Sequence, residues 1–131
     1  MTSVEHDAQW FRELKGRLGP DVTLKLIEPD PVGNVLSDTA PGCFDKYVSS
    51  ILNEADQSID LVIVDGRARV ACFRAALEKV KPGGAILLDD SDRPKYEAAT
   101  TMVDWPRVVF RGLKPGVGMV CETSMWMRPT S

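Results

Sequence analysis

Several things are scarce in this chain of 131 residues, and each scarcity removes a class of protein. There are three cysteines, Cys43, Cys72 and Cys121, which form no CxxC pair and no zinc set, so free thiols in a reducing compartment are expected. No apolar run approaches the roughly 18 residues that a membrane helix needs. The opening stretch, MTSVEHDAQW, has neither the basic start nor the apolar stretch of a signal peptide, and a cytoplasmic location is the expectation. An excess of positive charge is also missing. Sixteen Lys and Arg against 19 Asp and Glu give a net charge of −3, which speaks against a nucleic-acid surface. There is one histidine, His6, and no repeat, low-complexity tract or linker. What is present is a hydrophobic content of 44% with 27% charged residues, enough for one modest core in a single domain over residues 1–131.

Apolar runs alternate with helical patterns along the chain. Thr2–Glu5 reads as a strand, and Asp7 as the cap of a helix whose face is Trp10, Leu14 and Leu18, stopped by Gly19-Pro20. Val22–Ile27 is the next strand, followed by a loop running from Pro29 to about Gly42. Val48, Ile51, Leu52 and Ala55 give a second helical stripe, capped by Asp45. Leu61–Val64 is apolar on both faces, which suits the interior of a parallel sheet covered on each side. A helix carrying Val70, Phe73, Leu77 and Val80 then leads through the turn Lys81-Pro82-Gly83-Gly84 into Ala85–Leu88, completing a right-handed βαβ unit. Ser91–Val103 is expected as a helix with Pro94 in its first turn. Val108–Phe110 and Val117–Met127, joined by the short connector at residues 112–116, are expected to pair antiparallel.

Three pieces in this order carry a resemblance: Val4-Glu5-His6-Asp7 with Trp10, then Asp60–Arg69 (DLVIVDGRAR), then Lys81-Pro82-Gly83-Gly84 leading to Asp90. Together they resemble the class I S-adenosylmethionine-dependent methyltransferases over the later two-thirds of that family's domain. The fold class implied is α/β, a Rossmann-like and mostly parallel sheet with a C-terminal antiparallel hairpin. Such domains begin with a strand, a glycine-rich turn and a helix, and no GxGxG-like segment occurs here. Glycine is needed in that turn because a Cβ would block the close approach of backbone to ligand. Without that βα unit two strands lose a shared neighbour and expose unpaired N–H and C=O groups. The expectation is that the sequence starts inside a longer protein, that the strands close up, or that another chain fills the gap.

The resemblance also implies roles for individual residues. Glu5, at the carboxyl end of its strand, would accept hydrogen bonds from the two ribose hydroxyls of the cofactor. Asp30 or Glu28 would meet the adenine amino group, although a Pro-Asp-Pro turn serves equally as a plain turn. Asp65 and the group Asp89, Asp90 and Asp92 end two neighbouring strands. In the metal-dependent O-methyltransferases an Asp and an Asp-Asn pair at these places hold magnesium. Asp65 and Asp90 are the matching metal ligands, with Ser91 standing where Asn is expected. Bound there, Mg2+ would lower the pKa of a substrate hydroxyl. Caps and strand ends are the plain structural alternative for these aspartates. Asp65 is also the candidate catalytic residue and a cofactor contact. Arg67 and Arg69 read as anion holders or, more readily, as partners of nearby aspartates. His6 reads as a solvated side chain. Trp105, Trp126, Met119, Met125 and Met127 read as packing, or as an association surface if the chain forms homo-oligomers.

The function implied is methyl transfer from S-adenosylmethionine to a small molecule or glycan, with alignment of the reacting atoms supplying most of the rate. The alternative is a non-catalytic module of the same fold that binds a partner through an open strand edge or the terminal hairpin. A nucleotide-binding oxidoreductase half-domain is disfavoured by the terminal hairpin and the absent phosphate-binding glycines.

Overall fold

The computed structural model describes residues 1–37 and 39–131; Asp38, within the expected loop, lies outside them. The described residues divide into two compact units, residues 1–50 with 66–68, and residues 51–65 with 69–131. No helix among them is long and apolar enough to cross a membrane.

The first unit contains β1 (Thr2–Glu5), α1 (Ala8–Lys15), β2 (Thr23–Leu26) and α2 (Asp45–Ser49). β1 and β2 run parallel in the register Thr2↔Thr23 to Glu5↔Leu26. Asp7 caps α1 as expected, its carboxylate accepting the Trp10 N–H at 2.8 Å. The helix stops at Lys15, four residues before the Gly-Pro pair. Trp10 is 44% exposed, so the inward stripe is Phe11, Leu14 and Leu18 rather than the one that starts at Trp10. The helix expected through Ala55 shortens to α2 and a 3-10 turn at Ser50–Asn53. Asp45 does not cap it. Its carboxylate accepts instead from the N–H groups of Asn34 and Val35 at 3.0–3.1 Å, closing the preceding loop. A short polar side chain satisfies whichever unpaired amides are nearest, and here the loop supplies them.

The second unit contains β3 (Ile59–Val64), α3 (Arg69–Ala76), β4 (Val80–Leu88), a 3-10 turn at Pro94–Tyr96, α4 (Glu97–Thr100), β5 (Arg107–Leu113) and β6 (Val120–Met127). Its sheet has the order β3-β4-β6-β5, with β3 and β4 parallel and the other two ladders antiparallel. The parallel start and antiparallel hairpin agree with the expected fold class. The core joins Val64, Phe73, Ile86, Leu88, Tyr96 and Trp126. Phe73 and Trp126 meet edge to face with ring centroids 5.0 Å apart.

Three local expectations change. Val80 belongs to β4 rather than α3, and Lys81–Gly84 forms a bulge, not a turn. Ile59 lies opposite Val80 but Leu61 opposite Ala85, so the four residues Lys81–Gly84 of β4 stand against the single Asp60 of β3. Gly83 adopts φ +78°, and a Cβ on Gly84 would come within 2.8 Å of the Asp60 carbonyl oxygen. The bulge keeps its backbone partners: Gly83 N–H donates to the Arg128 carbonyl at 2.9 Å, and Arg128 N–H to Gly84 at 2.8 Å. The helix expected over residues 91–103 contracts to residues 94–100. Its first residues are drawn away to β6, where Ser91 N–H donates to the Glu122 carbonyl at 2.8 Å. Finally, β3 is an edge strand of its sheet rather than an interior one, and Leu61 and Ile63 are 48% and 59% exposed. A continuous apolar run does not say what covers its two faces.

Lys79, unremarkable in the sequence, is buried. Its ammonium donates to the carbonyls of Leu52 and Glu54 at 3.3 and 2.9 Å and meets Asp56 at 2.6 Å, tying off the end of the 3-10 turn. Lys79→Met keeps the stem but leaves these acceptors without a donor. Solvent reaches Asp56, which discounts that ion pair, and a loss of about 2 kcal/mol is expected in urea unfolding, with an unchanged slope.

Candidate functional site

In the first unit the backbone of β1 delivers Glu5 to the end of its parallel ladder. Its Oε1 accepts the N–H groups of His6 and Asp7 at 2.7 and 2.8 Å and the His6 Nδ1 at 2.8 Å. Because the Arg67 Nε–H is aimed at His6 Nε2 at 3.2 Å, Nε2 accepts and Nδ1 carries the hydrogen given to Glu5. Arg67 also donates to the Thr39 hydroxyl at 2.9 Å. The histidine ring packs against Phe44 and Tyr47 at 5.8 and 6.2 Å. His6 is therefore a built-in orienting group for Glu5 rather than a solvated side chain. Asp30 is fastened twice, by a two-way backbone bridge to Cys43 at 2.8 Å and by the Lys46 ammonium on its Oδ1 at 2.7 Å. That contact raises the Lys46 pKa.

In the second unit the parallel pair β3 and β4 ends in Asp65 and Asp89. The two carboxyls influence each other's ionisation. Desolvation, followed by the neighbouring Asp89 carboxyl, raises the Asp65 pKa from its ordinary value. Desolvation opposes ionisation of Asp89 as well, but the Thr123 hydroxyl at 2.7 Å, Asp65 and the Lys114 charge outweigh it and hold Asp89 low. Asp65 is therefore the more basic of the two carboxyls. Arg69 braces the rim from α3, donating to the Asp89 carbonyl at 2.6 Å and lying 3.1 Å from Asp65 Oδ1. It is thus a partner of the aspartates, as its alternative reading has it.

Asp90 is 2% exposed and sits at φ +53°, a conformation that aspartate tolerates better than most residues. Lys114 holds both its oxygens at 2.8 and 2.9 Å, Arg93 lies 2.6 Å from Oδ2, and Arg69 lies 3.7 Å from the same oxygen. Ser91 spends its hydroxyl on Ser124 at 2.7 Å, and Asp92 accepts the Glu122 N–H at 3.1 Å. An open hollow of about 370 Å³ adjoins the rim, walled by Asp89, Lys114, Thr123, Phe110, Leu113 and Cys121. Neither Lys114 nor Thr123 is marked by any motif. Lys114 lies in the connector after β5, 24 residues from Asp90, and only the hairpin's return brings it to the rim.

These residues do not fit a divalent cation held by Asp65 and Asp90. Magnesium requires several oxygen ligands at about 2.1 Å with room for water. Here Asp90 is buried beneath two close cations, Asp65 is paired with Arg69 at 3.1 Å, and Ser91 is turned to another hydroxyl. Among the described residues no group of three or more His, Cys, Asp or Glu is placed to hold a metal ion. The described residues therefore give the expected magnesium site at Asp65 and Asp90 no support.

No protein-family model matches the chain, and no curated protein matches it significantly. Solved structures do match. An O-methyltransferase from Bacillus cereus in complex with SAH superposes with a TM-score of 0.66 at 14% identity, over 97% of this chain and 61% of that one. A methyltransferase-like protein from Silicibacter pomeroyi gives 0.54 at 23% identity, over 98% and 68%. A predicted O-methyltransferase from Agrobacterium tumefaciens gives 0.55 at 15%, over 96% and 61%. The chain thus spans 61% of the length of the Bacillus and Agrobacterium proteins.

The raised Asp65 pKa makes a prediction for stability. A carboxyl whose pKa is raised by folding binds its proton more tightly in the folded state, so its contribution is present at low pH and is lost as pH rises from the unfolded value, about 3.9, toward the folded one. Asp65→Asn keeps a donor for Asp89 without that proton demand. Its melting temperature is expected to equal or exceed wild type at pH 7, with the difference shrinking on acidification to about pH 4; thermal melts across that range check the sign. With this rim at the ends of β3 and β4, the described chain has the Rossmann-like fold of the class I S-adenosylmethionine-dependent methyltransferases.

Proposed function

We propose that the protein takes part in methyl transfer from S-adenosylmethionine to an oxygen of a small molecule or glycan. The observation that carries this reading is the carboxyl pair Asp65 and Asp89 at the carboxyl ends of two parallel strands, the end at which open α/β sheets bind ligands. Support comes from the SAH held by the Bacillus O-methyltransferase, since SAH is what remains of S-adenosylmethionine once its methyl group has left.

When bound, S-adenosylmethionine supplies an electrophilic methyl carbon: the acceptor oxygen forms the new bond, the carbon–sulfur pair stays with sulfur, and the hydroxyl proton departs. Asp65 is the residue assigned to take that proton. Its raised pKa makes its ionised form a better proton acceptor than an ordinary carboxylate. Glu5 is assigned to the ribose hydroxyls, held in one orientation by the amides of His6 and Asp7 and by the His6 ring. Asp30 is assigned to the adenine amino group, with Lys46 fixing its carboxylate. The second reading, a non-catalytic interaction module, is favoured by the exposed Leu61 and Ile63 of β3 and by Val108, Val109 and Phe110 of β5.

Calorimetric titration with SAH separates the two. One saturable site is expected, weakened about tenfold by Glu5→Gln, or roughly 1.4 kcal/mol. Asp65→Asn should bind SAH as wild type does while methyl transfer falls by about 10² or more. Absence of saturable SAH binding would reject methyl transfer in favour of the interaction module.

A further inference from the structure

At the centre of the second unit's rim a lysine stands where a divalent cation would have to stand. Lys114 Nζ bridges both carboxylate oxygens of Asp90 at 2.8 and 2.9 Å and reaches Asp89 Oδ2 at 3.5 Å. A cation that touches both oxygens of one carboxylate and leans on a neighbouring one uses the same acceptors a metal would use. Three carboxyls, Asp65, Asp89 and Asp90, face three cations, Arg69, Arg93 and Lys114. Carboxylates and cations therefore already match in number at the rim, and a further double charge would meet three positive groups at short range. Asp90 is 2% exposed, so no water shell can accompany a metal to it. The only cation that can leave without unravelling an α-helix or the turn beside Asp90 is Lys114, which is borne on the connector between β5 and β6 and is 34% exposed.

We infer that the Lys114 ammonium is the resident cation of the Asp89–Asp90 rim, taking the place of a divalent metal and pinning the β5–β6 connector to the strand ends. This makes the rim self-sufficient in charge, and a metal ion can enter it only after the lysine is removed.

The test reads metal binding, not turnover, so its outcome is separate from that of the methyl-transfer reading. Mn2+ alone is titrated into wild type, Lys114→Met and Lys114→Arg, and free Mn2+ is followed by electron paramagnetic resonance. Wild type and Lys114→Arg are expected to show no saturable binding at millimolar metal. Lys114→Met is expected to gain one site at least about tenfold tighter. Wild type binding Mn2+ as tightly as Lys114→Met would overturn the inference, as would Lys114→Met gaining no site. Should Lys114→Met fail to fold, wild type decides. Selective broadening of the Asp89 and Asp90 amide resonances by Mn2+ would overturn the assignment, and their persistence supports it.

Discussion

A carboxylate taken out of water must be given cations, and the buried side chain of Asp90 is where this requirement organises the second unit. Arg93 reaches it from the following turn, Lys114 from the connector between the last two strands, and Arg69 from the start of α3. One buried group therefore ties together segments that are far apart in sequence. The neighbouring contacts have the same logic. Thr123 and Lys114 hold Asp89, and the buried hydroxyl pair of Ser91 and Ser124 is completed by the Arg107 guanidinium at 2.8 Å. Among the described residues no buried side-chain nitrogen or oxygen lacks a hydrogen-bond partner.

The first unit applies the same principle on a smaller scale. Glu5 gathers two backbone amides and a histidine on a single oxygen, and Asp45 closes a loop through two others. These acidic side chains serve as backbone acceptors first. Any ligand role they have is exercised from positions that the local chain has already fixed, which is what preorganised recognition requires. His6 adds a second layer, because its ring is oriented by Arg67 and packed by Phe44 before it meets Glu5. The sequence offered no reason to prefer that arrangement, since a histidine between two acidic residues is as easily placed in water.

Much of the fold was legible. The strand at Thr2–Glu5, the Asp7 cap, the βαβ order and the terminal hairpin all follow from short-range spacing, and short-range spacing fixes backbone periodicity. The errors lie where a local pattern admits two tertiary outcomes. Lys81-Pro82-Gly83-Gly84 has turn chemistry, yet Arg128 supplies the partners that make it a bulge within a strand. Leu61 and Ile63 read as interior, yet among the described residues their strand stands at the end of its own sheet, beside β4. The aspartates at the ends of β3 and β4 were legible as a carboxylate rim. Their counter-ions were not, because Lys114 and Thr123 arrive by way of the hairpin.

By itself, the sequence determined the periodicity of the elements, their order, and the placing of acidic residues at strand ends, since each depends on residues within a few positions of one another. Tertiary structure alone decided which cation meets which carboxylate, that the Asp65 pKa is raised, and that Asp90 is buried among three cations. Those outcomes turn on distances of 2.6 to 3.1 Å between residues as many as 34 positions apart, and electrostatics at that range is set by packing, not by proximity along the chain.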